Sequence, residues 1–154
     1  MAVTVGQKAP GFTLADSTRK PISLADYAGK KVVIFFYPGA FTGVCEKEMC
    51  TIRDTMADFD SNGAQVLGIS VDAPAANNAF AAKNALKFPL LSDYSRYVSS
   101  LYCGLVNNFA GLVGLTASNR AAFVIDAAGT VTYAWISENP GVEPPYDEVK
   151  KAIA

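Results

Sequence analysis

The chain has 154 residues, of which 51% are hydrophobic and 18% charged, and its net charge is −1. That composition supplies a core and excludes a disordered chain, while 13 scattered basic residues exclude a dedicated polyanion-binding surface. Histidine is absent, which removes every Cys-His, Ser-His and His-ligated metal mechanism, so any nucleophile here is activated by something other than imidazole.

The N-terminal segment lacks a basic stretch followed by an apolar run, so no signal peptide is expected. The strongest apolar run, Val32 to Tyr37, is six residues long, against the roughly 20 of a membrane helix. A cytoplasmic protein with neither membrane nor nucleic-acid partner is therefore expected. Three cysteines do not make an extracellular disulfide framework; in a cytosolic chain they serve chemistry or are simply buried. With no repeat, linker or low-complexity stretch, residues 1–154 read as a single domain.

In chain order, residues 10–15 and 21–24 read as short, weakly patterned strands. Lys31 to Tyr37 is a β-branched and aromatic run, the pattern of a strand buried on both faces, and Pro38-Gly39 stops it. From Gly43 to about Phe59, Met49, Ile52, Met56 and Phe59 recur at three- and four-residue steps, which predicts one helix ended by Asn62-Gly63. Gln65 to Val71 reads as a second buried strand. Pro74 near the first helical position opens a helix over 75–86. Phe88 to Leu91 reads as a short strand and 94–103 as helix. Arg120–Ile125 and Thr130–Ile136 flank a turn ending in Gly129, a hairpin pattern. A last helix starts near Pro145. The order implies an α/β fold with a mixed central sheet flanked by helices. The thioredoxin fold has this order, here with an N-terminal β-hairpin extension.

The stretch from Pro38 to Cys50 carries the chemistry. A buried strand ends, a short loop follows, and Cys45 falls in the first helical turn, where backbone N–H groups have no helical partner and the dipole is positive. Both favour a thiolate, so a Cys45 pKa below the ordinary thiol value is expected. A thiolate attacking a peroxide leaves a developing oxyanion that needs donors. Thr42 can supply a hydroxyl, Val44 and Cys45 their N–H groups, and Pro38 a wall with no competing N–H. The plain alternatives are a helix N-cap for Thr42 and a strand terminator for Pro38.

Pro38-x-x-x-Thr42-x-x-Cys45 resembles the active-site signature of the peroxiredoxins. Gly6 to Leu14, Gly68 to Asp72, Phe88 to Asp93 and Arg120 to Asp126 are also similar to recurring segments of that family. The resemblance implies a thiol-dependent peroxidase acting on hydrogen peroxide and organic hydroperoxides, with Cys45 as the peroxidatic sulfur and no cofactor or metal. It implies that Arg120 is the guanidinium facing Cys45 and that Glu48 orients it. Alternatively, Arg120 is a solvated strand-end charge and Glu48 an exposed helix carboxylate. Arg19, Arg53 and Arg96 compete for the cationic role.

Cys50 lies five residues beyond Cys45, which on an intact helix is about 140° of rotation and roughly 7.5 Å of rise. A disulfide needs closer, converging side chains, so the helix must unwind if Cys50 resolves a Cys45 sulfenic acid. The spacing resembles the PrxQ (bacterioferritin comigratory protein) subgroup, and the segment around Phe41 to Cys45 also resembles AhpE-type proteins, which lack the second cysteine. The PrxQ resemblance implies a Cys45–Cys50 disulfide reduced by a thioredoxin- or glutaredoxin-like dithiol. Cys103 is read as a buried thiol or an alternative resolving one. No cysteine follows it, unlike the typical two-cysteine subgroup. Competing readings are a thiol–disulfide oxidoreductase, which normally uses Cys-x-x-Cys, and a peroxide-sensing switch without fast turnover. Monomer and homodimer both fit.

Overall fold

A computed structural model describes residues 2–154. Its framework is a seven-stranded sheet in the order β2-β1-β5-β4-β3-β8-β9. The strands are β1 (Thr13–Asp16), β2 (Pro21–Ser23), β3 (Lys31–Phe36), β4 (Ala64–Ser70), β5 (Leu90–Ser92), β8 (Ala121–Ile125) and β9 (Val131–Ile136). A separate small ladder joins β6 (Leu105–Val106) to β7 (Ala117–Ser118). The helices are α1 (Gly43–Asp54), α2 (Met56–Ser61), α3 (Pro74–Lys83), α4 (Tyr97–Tyr102) and α5 (Tyr146–Ile153). Among the described residues no helix is long and apolar enough to cross a membrane.

The interior strand β3 pairs parallel with β4 and antiparallel with β8, so the sheet is mixed as expected. Alternation along β3 divides the core. Val33, Phe35 and Tyr37 pack with Cys45, Met49, Ile52, Phe80 and Val149 on one face. Val32, Ile34 and Phe36 pack with Leu67, Val98, Tyr102 and Cys103 on the other. Side chains two apart on a strand share a face, so the continuous apolar run of β3 serves both layers. The N-terminal hairpin is no separate appendage: β1 pairs antiparallel with β5 and extends the same sheet.

Several element bounds differ from the expectation. The helix over 43–59 is two helices, because Thr55 (φ −112°, ψ 13°) leaves helical geometry. Its hydroxyl donates to the Thr51 and Ile52 carbonyls at 3.0 and 3.2 Å, a back-bond that competes with the ladder. Phe59 is nonetheless buried in the same cluster as Ile52, so the apolar stripe continues across the break. Helix α3 ends at Lys83, where the chain turns inward through Ala85 (φ 51°) and Leu86 N–H bonds the Ala81 carbonyl. Strand β5 starts at Leu90, and α4 starts at Tyr97, its first N–H groups held by the buried Asp93 carboxylate at 3.2 and 2.7 Å. The expected stop at Asn62-Gly63 is present, with Gly63 at φ 67°.

Candidate active site

The site is built where β3 runs out. Tyr37, Pro38 and Gly39 continue the strand into the core and are buried. Two bonds from the neighbouring β4–α3 region tie this segment down. Asn77 of α3 accepts the Tyr37 hydroxyl at 2.7 Å, and the Asp72 carboxylate accepts the Ala40 N–H at 2.8 Å. Phe41 then takes a left-handed backbone (φ 65°), with its ring edge-on to Phe80 and beneath the Lys83 ammonium. Left-handed backbone is costly for an aromatic residue, and the flanking bonds and ring contacts hold it there.

Thr42 occupies the N-cap position of α1, yet its side chain makes no cap bond; its hydroxyl donates to the Gly39 carbonyl at 2.7 Å. The helix ladder opens with Glu46 N–H on the Thr42 carbonyl at 2.8 Å, so the N–H groups of Gly43, Val44 and Cys45 precede it. Val44 is partly buried, and Cys45 is fully buried in this first turn.

Arg120 immediately precedes β8 and is 1% exposed, so it is not a solvated strand-end charge. Its Nη2 donates to the Cys45 sulfur at 3.2 Å, and its Nη1 donates to Glu48 Oε2 at 3.2 Å. Nε and Nη2 both donate to the Pro140 carbonyl, at 3.0 and 2.7 Å. Glu48, one turn beyond Cys45, is fully buried rather than an exposed helix carboxylate. The other arginines stand elsewhere: Arg53 bonds Asp54 and the Asn84 carbonyl, Arg96 the Thr116 carbonyl, and Arg19 sits in the β1–β2 turn. The Pro140 carbonyl is a site group the residue pattern did not announce. Asn139-Pro140-Gly141 signals a turn, but nothing in that signal tells which carbonyl the turn aims inward.

The electrostatics correct one expectation. Burial is the largest influence on the Cys45 thiol and pushes it above its ordinary value, although Arg120, the Thr42 hydroxyl and Gly39 pull it down. The helix start taken alone favours the thiolate; desolvation of a sulfur with no exposure works against it. Burial also pushes the Glu48 carboxyl up to about 8 against the pull of Arg120, with Glu143 adding to the rise.

Cys50 lies on the same unbroken helix as Cys45 and is partly exposed. Its thiol donates to Asn84 Oδ1 at 3.4 Å, and all three cysteines are free. Cys103 packs in the opposite layer of the sheet from Cys45, beside the Ser118 hydroxyl at 3.5 Å, and burial pushes its pKa up to about 12. Among the described residues no group of three or more His, Cys, Asp and Glu side chains is arranged to hold a metal ion.

Comparison with known proteins gives a consistent result. A family model described as the AhpC/TSA family matches residues 5–134. A putative peroxiredoxin of Mycobacterium tuberculosis is 40% identical over 134 residues, covering 86% of this chain and 84% of that protein. Alkyl hydroperoxide reductase E of Mycobacterium bovis is 37% identical over 142 residues, covering 90% of this chain and 88% of that one. The crystal structure of peroxidoxin BcpB from Mycobacterium tuberculosis aligns with a TM-score of 0.82 at 30% identity, covering 97% of this chain and 95% of the other.

Proposed function

The chain belongs to the AhpC/TSA family and is a thiol-dependent peroxidase of the peroxiredoxin kind, and we propose that Cys45 is its peroxidatic sulfur. The observation that carries this assignment is the Arg120 guanidinium at 3.2 Å from the Cys45 sulfur, inside a fully buried first helical turn. The Cys45 thiolate attacks one oxygen of hydrogen peroxide or an organic hydroperoxide. An S–O bond forms, the O–O bond breaks, and the sulfur becomes a sulfenic acid. Charge developing on the leaving oxygen meets Arg120 and the N–H groups of Val44 and Cys45, joined by the Thr42 hydroxyl once it turns from the Gly39 carbonyl. Pro38 closes one wall without adding a donor. Peroxide entry needs local opening over Cys45, beside the partly exposed Thr42 and Val44.

Cys50 then resolves the sulfenic acid, with loss of water, as a Cys45–Cys50 disulfide. The first turns of α1 unwind to let the sulfurs meet. An external dithiol protein of thioredoxin or glutaredoxin type reduces the bridge. Residues 1–154 act as one domain, as a monomer or a homodimer.

Peroxide consumption supported by dithiothreitol is expected to vanish in Cys45→Ser. Mass mapping after one equivalent of peroxide is expected to find the Cys45–Cys50 bridge. A bridge from Cys45 to Cys103, or a stable sulfinic acid at Cys45 in the parent protein, overturns the role given to Cys50.

A further inference from the structure

Two acids share one cation at this site. Arg120 is 1% exposed and reaches Cys45 with Nη2 and Glu48 with Nη1, each at 3.2 Å. Its remaining bonds go to a neutral carbonyl, that of Pro140. If both acids were neutral, a guanidinium would lie buried without a counter-ion. If both were ionised, the buried cluster would carry net negative charge. Each arrangement is heavily penalised in a dry interior.

We propose that Cys45 and Glu48 hold a single negative charge between them against Arg120, so that the thiol ionises as Glu48 takes up a proton.

The surroundings of Glu48 favour its neutral form. Among the described residues only Oε2 has a hydrogen-bond partner and Oε1 is buried without one; a neutral carboxyl left half-paired costs less than an ionised one in the same place. Glu143, from the loop before α5, is held by Lys47 at 3.1 Å and by the Tyr146 hydroxyl at 2.7 Å. It stays below its ordinary pKa although burial opposes this, and its negative charge weighs against ionising Glu48. The phenols that sense Glu48, Tyr146 on α5 and Tyr37 after β3, are both pushed up by burial and remain neutral. The sulfur, by contrast, has the Thr42 hydroxyl and the Gly39 backbone beside it, and both pull its pKa down. A Cys45 thiol that stands high while Glu48 claims the guanidinium falls once Glu48 is protonated. The pair titrates as a unit.

This assignment rests on Cys45 as the attacking sulfur, and it balances the reaction. The Cys45 thiolate faces the peroxide while Glu48, on the far arm of Arg120, holds the proton. Sulfur loses two electrons to the O–O bond and gains the hydroxyl as sulfenic acid. The leaving alkoxide or hydroxide takes the proton that Glu48 releases, and the regenerated carboxylate keeps Arg120 neutralised beside the now uncharged sulfur. Glu48 is here the store of that proton and, through Arg120, sets which of the two acids carries the charge.

The test uses protein carrying Cys50→Ser and Cys103→Ser, so that thiolate absorbance reports residue 45 alone. In that background Glu48→Gln is expected to lower the thiolate midpoint by about one pH unit or more, because the amide no longer competes for Arg120. A midpoint unchanged or raised overturns the shared charge, and a raised one is what a purely orienting role for Glu48 predicts. Infrared spectroscopy of the Glu48-containing protein gives an independent reading. At one fixed pH at which residue 45 carries thiolate, the C=O stretch of a buried protonated carboxyl is expected to be present, and to be absent at that same pH in Cys45→Ser, where Glu48 alone neutralises Arg120. A band insensitive to residue 45 overturns the proposal. Neither readout needs turnover, so failure here is distinct from loss of peroxide consumption, which would instead remove the peroxidatic role of Cys45.

Discussion

Arg120 makes four hydrogen bonds from one planar fork, to Cys45, to Glu48 and twice to the Pro140 carbonyl. A guanidinium fits that geometry; an ammonium presents a point charge with different directions. Arg120→Ala is expected to slow the single-turnover reaction with peroxide by about 10²–10³-fold, and Arg120→Lys to recover little of it. Stopped-flow measurement at fixed peroxide checks both, and an unchanged rate in Arg120→Ala would hand the role to another cation. At this scale Cys45 and Thr42 were legible because a strand stop followed by a helix start places them by local rules. Arg120 and Glu48 came into view only through the resemblance. Nothing local to residue 120 or 48 says that they meet, since the contact joins residues 72 apart. The residue pattern displays the helix dipole at Cys45 and conceals how completely the sulfur is desolvated.

On the proposed route helix α1 has two tasks that oppose one another: wound, it presents Cys45, and unwound, it releases Cys45 toward Cys50. The end of α3 latches the wound form. Lys83 pairs with Glu46 at 2.9 Å, the Cys50 thiol donates to Asn84, and Arg53 donates to the Asn84 carbonyl at 2.8 Å. Asn84 is the most buried of these partners at 8% exposure, and its own amide also bonds the Phe80 carbonyl. A lost hydrogen bond changes stability by about 1 kcal/mol, or roughly five-fold in an opening equilibrium. Asn84→Ala is therefore expected to speed disulfide formation several-fold and to reduce sulfinic acid at high peroxide. Rapid quenching with thiol alkylation and mass analysis measures both, and an unaltered closing rate removes Asn84 from the latch. The break at Thr55 escaped the periodicity argument for a physical reason. The apolar stripe reports which face is buried, and Thr55 interrupts the backbone without disturbing that face.

Across the whole molecule, the sheet is a partition. Cys45 belongs to one layer and Cys103 to the other, with β3 between them. Alternation along a strand was readable from the chain, but which helix covers which face was not, because that depends on how the crossovers run. Close packing at the centre of the partition sets a further limit. A Cβ on Gly68 of β4 would lie 2.6 Å from Leu90 Cδ2 and 3.4 Å from Tyr37 Cε1. Gly68→Ala is expected to destabilise the protein by about 1–3 kcal/mol, read as a lower urea midpoint. A midpoint equal to that of the parent would mean the β4–β5 packing yields freely. The Ala40–Asp72 bond gives the same framework a mechanical meaning. Because that point stays pinned to the β4–α3 junction, a loosened Cys45 swings on a leash of five residues, roughly 17 Å at full stretch. On the proposed route that anchor keeps Cys45 beside the β4–α3 junction, and the Cys50 thiol, bonded to Asn84 at the end of α3, is the sulfur within the same tethered reach.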